Sequence, residues 1–274
     1  MTPIADIHTH TLFSDGLAHL EDNVGAAVAA GCRVMACTDH LTMPETMDPG
    51  SEVGVAEKDL PALRAEFDAA RQRYGQLELL YGFECDWYPG CEPNIERWAA
   101  GADILLGSVH WIGEADAGRW MDDPTDTSLY DEIGADEVWR RYVDAWCRAC
   151  ESSIDFATMS HPDLAKRFRN EGWPSSLDLG PLYARMAECA HDTHRRVEIN
   201  TAGLRKTVGE YYPALQLLRA FCRAEVPITV GSDGHTPADI CWGIRDAYAY
   251  AHAAGYREVQ VPHVGGEWEA WALE

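Results

Sequence analysis

Seven short apolar runs recur along the chain: Ile4–His8, Arg33–Cys37, Leu77–Glu84, Asp103–Val109, Ile154–Ser160, Arg196–Asn200 and Pro227–Gly231. Polar loops follow them, and between them lie segments of helical periodicity: Glu21–Ala30, Asp59–Tyr74, Asp136–Ser152, Leu182–His194, Ala214–Ala224 and Ile240–Ala254. A last short strand is expected over Glu258–Val261. Strands that alternate with helices imply βαβ units and a parallel sheet. Seven such units favour a barrel over an open doubly wound sheet, and no GxGxxG follows the first strand to argue otherwise. The 274 residues suit a single domain. Thr42–Lys58 and Gly113–Gly134 interrupt the rhythm and read as loops, either lids or solvated insertions.

Metal-competent side chains gather where the runs end. His8 and His10 close the first, and Asp15 lies just beyond. His40 follows the second, Glu84 ends the third, His110 the fourth and His161 the fifth, while Asp233 and His235 follow the seventh. A lone histidine after a strand is ordinarily a satisfied polar residue, and a lone aspartate a turn former. That explanation would have to hold separately for nine residues at six strand ends. In a parallel barrel those ends share one face, where active sites lie. His8 and His10, two apart on an extended strand, point to the same side. Imidazole and carboxylate suit Zn, Mn or Fe(II), and no cysteine joins the set. Nine ligands exceed the needs of one ion, so two or three divalent ions are expected, with Glu84 able to bridge. His19, His191, His194, His252 and His263 fall off the pattern.

The net charge of −23 argues against a basic nucleic-acid surface. No run of about 18 apolar residues is present to span a membrane. The nine cysteines are odd in number and scattered, and no signal segment opens the chain, so free thiols in a reducing cytoplasm are expected. Cys147 and Cys150, one turn apart on an amphipathic helix, read as core residues.

Six motifs stand in order: HTHTLFSDG (His8–Gly16), TDH (Thr38–His40), GFECD (Gly82–Asp86), GSVHW (Gly107–Trp111), SHPDL (Ser160–Leu164) and GSDGH (Gly231–His235). Together they resemble the polymerase-and-histidinol-phosphatase (PHP) family of metal-dependent phosphoesterases. The resemblance implies an α/β fold, a distorted seven-stranded (β/α)7 TIM-like barrel, and a trinuclear centre. It would give His8, His10, Glu84 and Asp233 to one ion, Glu84, His110 and His161 to a second, and Asp15, His40 and His235 to a third. Glu198–Lys206 (EINTAGLRK) and the Tyr212-Pro213 after it are similar to the histidinol-phosphate phosphatase branch, and hence to an enzyme of histidine biosynthesis. Asp15 departs from that branch, some members of which carry a histidine near this position.

The resemblance implies hydrolysis of a small phosphate monoester, with neither a nucleic acid nor a membrane as partner. Arg205 and Lys206, with Arg167 or its neighbour Lys166, are the candidate phosphate cations, guanidinium being suited to phosphate. A metal-bound water or a ligand-shell group such as Asp233 or His235 would supply the leaving group's proton. Trp111 is a candidate stacking surface, and Glu114 or Asp116 a candidate receiver of a substrate ammonium. A nucleotide-directed phosphoesterase and a non-catalytic metal-stabilised module are the rival readings.

Overall fold

In the computed structural model the described residues are 2–114 and 117–274. β1 (Ile4–Asp6) leads through the His8–His10 segment to α1 (Leu20–Ala29), β2 (Cys32–Leu41), α2 (Leu60–Arg73), β3 (Glu78–Asp86), α3 (Glu92–Trp98) and β4 (Ile104–Ser108). A small hairpin, β5 (Trp111–Ile112) and β6 (Arg119–Trp120), then α4 (Ser128–Ile133) and α5 (Ala135–Cys150), precede β7 (Thr158–Met159). α6 (Gly180–Asp192), β8 (Val197–Asn200), α7 (Leu215–Arg223), β9 (Ile228–Gly231) and α8 (Ile244–Ala254) follow. The antiparallel hairpin of β10 (Glu258–Pro262) and β11 (Trp268–Ala272) ends the chain.

Seven strands form one parallel sheet in the order β1-β2-β3-β4-β7-β8-β9. Its two edges then approach each other. The Ile7 N–H reaches Val230 O at 3.5 Å, the His10 N–H donates to Gly234 O at 2.9 Å, and Thr9 bridges Gly234 in parallel. The result is a nearly closed, distorted TIM-like barrel. β2 and β3 are buried along almost their whole length, as strands covered on both faces must be. The helices pack outside; α5 turns Trp139, Tyr142, Trp146, Cys147 and Cys150 inward. All strand C-termini therefore open on one face.

Several expected boundaries move. The strand expected over 154–160 contracts to Thr158–Met159, joined to β8 by the single register pair Met159–Val197. The last helix starts at Ile244, because Gly243 before it takes a left-handed φ of 71°. α3 was not anticipated, although Pro93 at its start suits a helix N-terminus. The 113–134 stretch holds β6 and α4 rather than only loop. The 42–58 stretch organises itself around Asp48, whose carboxylate accepts the Glu52, Val53 and Gly54 N–H groups at 2.6–3.1 Å. Among the described residues no helix is long and apolar enough to cross a membrane.

Candidate metal centre

The nine strand-end residues converge on one cluster, and seven of them, all but His8 and His10, line one pocket. Glu84, at the end of β3 and 1% exposed, is its hub. Its Oε2 lies 3.0 Å from His8 Nε2 and 3.3 Å from both His10 Nε2 and His40 Nδ1. Its Oε1 lies 2.7 Å from His161 Nε2 and 3.7 Å from His110 Nε2. Asp233 Oδ1 stands 3.4 Å from His10 Nε2, and Asp15 Oδ2 stands 3.2 Å from His235 Nε2. The donor atoms fall into four overlapping groups: His8, His10 and Asp233; His10, Asp15, His40 and His235; Glu84, His110 and His161; and His40, Asp86 and His110. Within each group every donor atom lies within 4.8 Å of the others.

These residues fit divalent cations. Both ring nitrogens of His10, His161 Nδ1 and Asp15 Oδ1 are buried without a hydrogen-bond partner among the described residues. Buried polar atoms in folded proteins are almost always satisfied, so such a concentration of orphans points to an ion. The electrostatics agree. Burial opposes a charge on His8, but Glu198, Glu84 and Asp233 raise its pKa well above the ordinary value. Burial likewise opposes a charge on His110, yet Asp122, Asp86 and Glu84 push it up to about 9. On His10, burial reinforced by His235 and His40 lowers the pKa. Burial would raise the Asp233 carboxyl, but His8 and Lys206 hold it well below the usual range. Carboxylates that hold protons on imidazoles this strongly would attract a divalent cation in their place.

Four buried carboxylates that sequence reasoning passed over hold the ligands in position. Asp86 takes His40 Nδ1 at 3.1 Å on one oxygen and His110 Nδ1 on the other. Glu198 takes His8 Nδ1 at 2.9 Å and accepts the His161 backbone N–H at 2.9 Å. Asp39 accepts Thr11 N–H, Thr11 Oγ1 and Ser14 Oγ, fixing the turn that carries Asp15. Asp6 accepts Ser232 N–H and Oγ and the Cys241 N–H, fixing the turn that carries Asp233. One signal was present: Asp86 lies two residues from Glu84, and Asp6 two from His8, so each pair shares a strand face.

β9 packs closely against this shell. A Cβ on Gly231 would lie 2.1 Å from Glu198 Oε1 and 2.5 Å from His8 Cβ. Gly231→Ala should therefore destabilise the fold by roughly 1–3 kcal/mol, the usual cost of overpacking. A denaturant melt checks this, and an unchanged midpoint would refute it.

The candidate substrate cations part company. Arg205 Nη2 donates to Ser232 O and Asp233 O at 2.9 and 3.0 Å, and its Nε faces Asp239 at 3.1 Å, so it braces the Asp233 turn. Arg167 pairs with Glu171 and donates to Thr207 Oγ1, both at 3.2 Å. Lys166 is buried against Asp163, Glu210 and the Tyr211 carbonyl. Lys206 lines the metal pocket, together with Trp120, Asp122 and Leu164. Its ammonium forms no ion pair or hydrogen bond with a described residue. Trp111 lies instead in a separate pocket with Trp87 and Arg148, and its Nε1 donates to Glu114 O. The exposed Glu114 carboxylate faces Arg148 at 3.7 Å. Asp116 lies outside the described residues.

Comparison with known proteins gives the same direction. The PHP domain family model matches residues 6–202. A Deinococcus radiodurans protein named probable histidinol-phosphatase is 32% identical over 273 residues, covering 96% of this chain and 98% of that protein. The DNA polymerase/3'-5' exonuclease PolX of Bacillus subtilis is 27% identical over 106 residues, 38% of this chain and 18% of that one. The crystal structure of histidinol phosphate phosphatase from Lactococcus lactis, complexed with Zn, L-histidinol and phosphate, shares the fold. Its TM-score is 0.78 at 20% identity, over 97% of this chain and 98% of that one. The family model takes in every candidate metal ligand up to His161, and the Deinococcus relative extends the likeness along nearly the whole chain: it belongs to the PHP domain family of metal-dependent phosphoesterases.

Proposed function

We propose that the chain is a histidinol-phosphate phosphatase, converting L-histidinol phosphate and water to L-histidinol and phosphate. One observation carries this reading. A cation, a carboxylate and an indole stand together on the wall of the metal pocket: Lys206, Asp122 and Trp120. The substrate has a phosphoryl group, an ammonium and an imidazole, and each wall group suits one of them. The full-length relative and the histidinol-bound structure of the same fold support the reading.

Two or three divalent ions, of Zn, Mn or Fe, held by His8, His10, Asp15, His40, Glu84, His110, His161, Asp233 and His235, would supply Lewis acidity toward the phosphoryl group and the attacking water. The chain's own groups do the rest. Lys206 would bind a phosphoryl oxygen as a point charge. Asp122 would receive the substrate ammonium, and Trp120 would cover the imidazole. Arg205 would keep Asp233 in register through the Ser232 and Asp233 carbonyls. His235, whose Nδ1 lies 3.5 Å from Asp233 Oδ1, would supply the proton that the leaving alkoxide needs, with the Asp233 carboxylate orienting its ring.

The test is phosphate release by metal-loaded protein from histidinol phosphate, other monoesters and one nucleotide diester. A preference of about 100-fold in kcat/KM for histidinol phosphate, worth about 2.7 kcal/mol, is expected. Flat activity across the monoesters would discard the substrate, and a preference for the diester would favour a nucleotide-directed enzyme. Lys206→Ala should raise KM for all monoesters about tenfold, the loss of a hydrogen bond to a charged group. Asp122→Asn should raise it more for substrates that carry an ammonium than for those that lack one. Equal effects of Asp122→Asn on substrates with and without the amine would remove Asp122 from its assigned role.

A further inference from the structure

On the outer face of the barrel, α6 lays Cys189 against the Cys147–Cys150 pair of α5. All three are free thiols. The Cys189 thiol donates to the Cys147 carbonyl oxygen at 3.5 Å, against the buried face of α5 that also carries Cys150. Cys147 and Cys150 are 4% and 1% exposed, whereas Cys189 is partly exposed. Arg195 sits at the end of α5, donating to the Cys150, Ser152 and Ile154 carbonyls, and Arg185 lies one turn before Cys189 on α6. Helical periodicity explains the two cysteines of α5 as core residues, but it does not explain a third, solvent-reachable thiol on a different helix seated on both.

We propose that Cys189 is the reactive thiol of this chain and that peroxide oxidation joins it to Cys147 in a reversible disulfide. The Cys189 thiolate attacks hydrogen peroxide, forming a sulfenic acid and releasing hydroxide. The Cys147 thiol then attacks the sulfenic sulfur, forming the S–S bond and releasing the oxygen as water. Overall two thiols and one peroxide give one disulfide and two waters. Contacts with the Cys147 and Cys150 thiols lower the Cys189 pKa, burial opposes this, and the Arg185 and Arg195 guanidiniums add to the lowering. Cys189 is thus partly exposed and within reach of two guanidiniums, Arg185 being paired with Asp144 and Arg195 facing Asp155 at 3.8 Å. The link would staple α5 to α6 without touching any of the nine metal-site residues.

The experiment uses the full-length, zinc-loaded protein, zinc being redox-inert. After a few equivalents of hydrogen peroxide the remaining thiols are alkylated, and the protein is digested without reductant and mapped by mass spectrometry. A Cys147–Cys189 peptide that dithiothreitol dissolves is expected, present in Cys222→Ser and lost in Cys189→Ser. In the untreated protein, limiting iodoacetamide should label Cys189 at least about tenfold faster than Cys222, the other partly exposed cysteine. This second readout needs no variant to fold. Equal labelling of the two thiols, or Cys189 recovered after peroxide only as sulfinic or sulfonic acid, would overturn the proposal.

Discussion

Glu84→Gln should lower kcat/KM for phosphate release by about 10³-fold or more, equivalent to about 4 kcal/mol of lost transition-state stabilisation. The substitution keeps the shape of the side chain, and Ser108 Oγ, now 2.6 Å from Oε1, can still donate to the amide oxygen. What disappears is one negative charge at the hub of five imidazoles, all within 3.7 Å of a Glu84 oxygen. An amide also presents an N–H₂ where a second acceptor oxygen stood, and that group repels both a cation and a protonated imidazole. Glu84 belongs to the Glu84–His110–His161 group, and its Oε2 also faces His8, His10 and His40, members of the other groups, so a single replacement should empty more than one ion position. Metal content by mass spectrometry, read beside kcat/KM, checks this. A variant that keeps a full complement of ions and loses less than about tenfold in rate would show that Glu84 is not a bridge.

The constellation was legible in the sequence because two periodicities coincide. Residues two apart on a strand share a face, and strands of a parallel barrel share an end, so His8, His10, Glu84, His110 and His161 could be placed together without coordinates. The positions next to them were not legible in the same way. Arg205 and Lys206 are neighbours at the end of a 3-10 turn, yet one faces the Asp233 backbone and the other the pocket. That choice depends on turn dihedrals that composition does not encode. Trp120 and Asp122 sit in a stretch whose acidity and turn residues read as loop. The short β5–β6 pairing, Trp111 with Trp120, and the Met121 N–H donating to His110 O at 2.9 Å bring the end of β6 back to the pocket wall. β7 was overestimated because Ile154 and Phe156 are apolar and buried, but they pack in an irregular approach to the sheet rather than within it. Asp39 was invisible as a support, because an aspartate that ties down a turn carries no spacing signal of its own.

Asp86→Ala should weaken metal binding by about 10³-fold while leaving all nine predicted ligands in place. Outer-shell partners of ligating histidines are typically worth 10–100-fold each in affinity, and Asp86 serves two of them, His40 and His110, through its two oxygens. Its carboxylate is 1% exposed, and His40 and His110 hold it below the usual range against the opposing effect of burial. Removing it frees both rings to rotate and strips the electron-donating partner from each. The Nε2 of His110, now 3.2 Å from that of His161, would lose its aim. Asp86→Asn separates the two contributions. It keeps one acceptor oxygen and so should hold one ring, giving an intermediate loss in affinity. Because kcat at saturating metal reports the chemistry rather than the loading, a supporting role predicts that excess Zn or Mn restores most of kcat in both variants, with the midpoint of the metal titration moved far to the right. If Asp86 is itself a ligand, as its place in the His40–Asp86–His110 group allows, excess metal would leave kcat low and the stoichiometry short by an ion. The metal titration therefore decides between a carboxylate that aims two histidines and one that holds an ion directly.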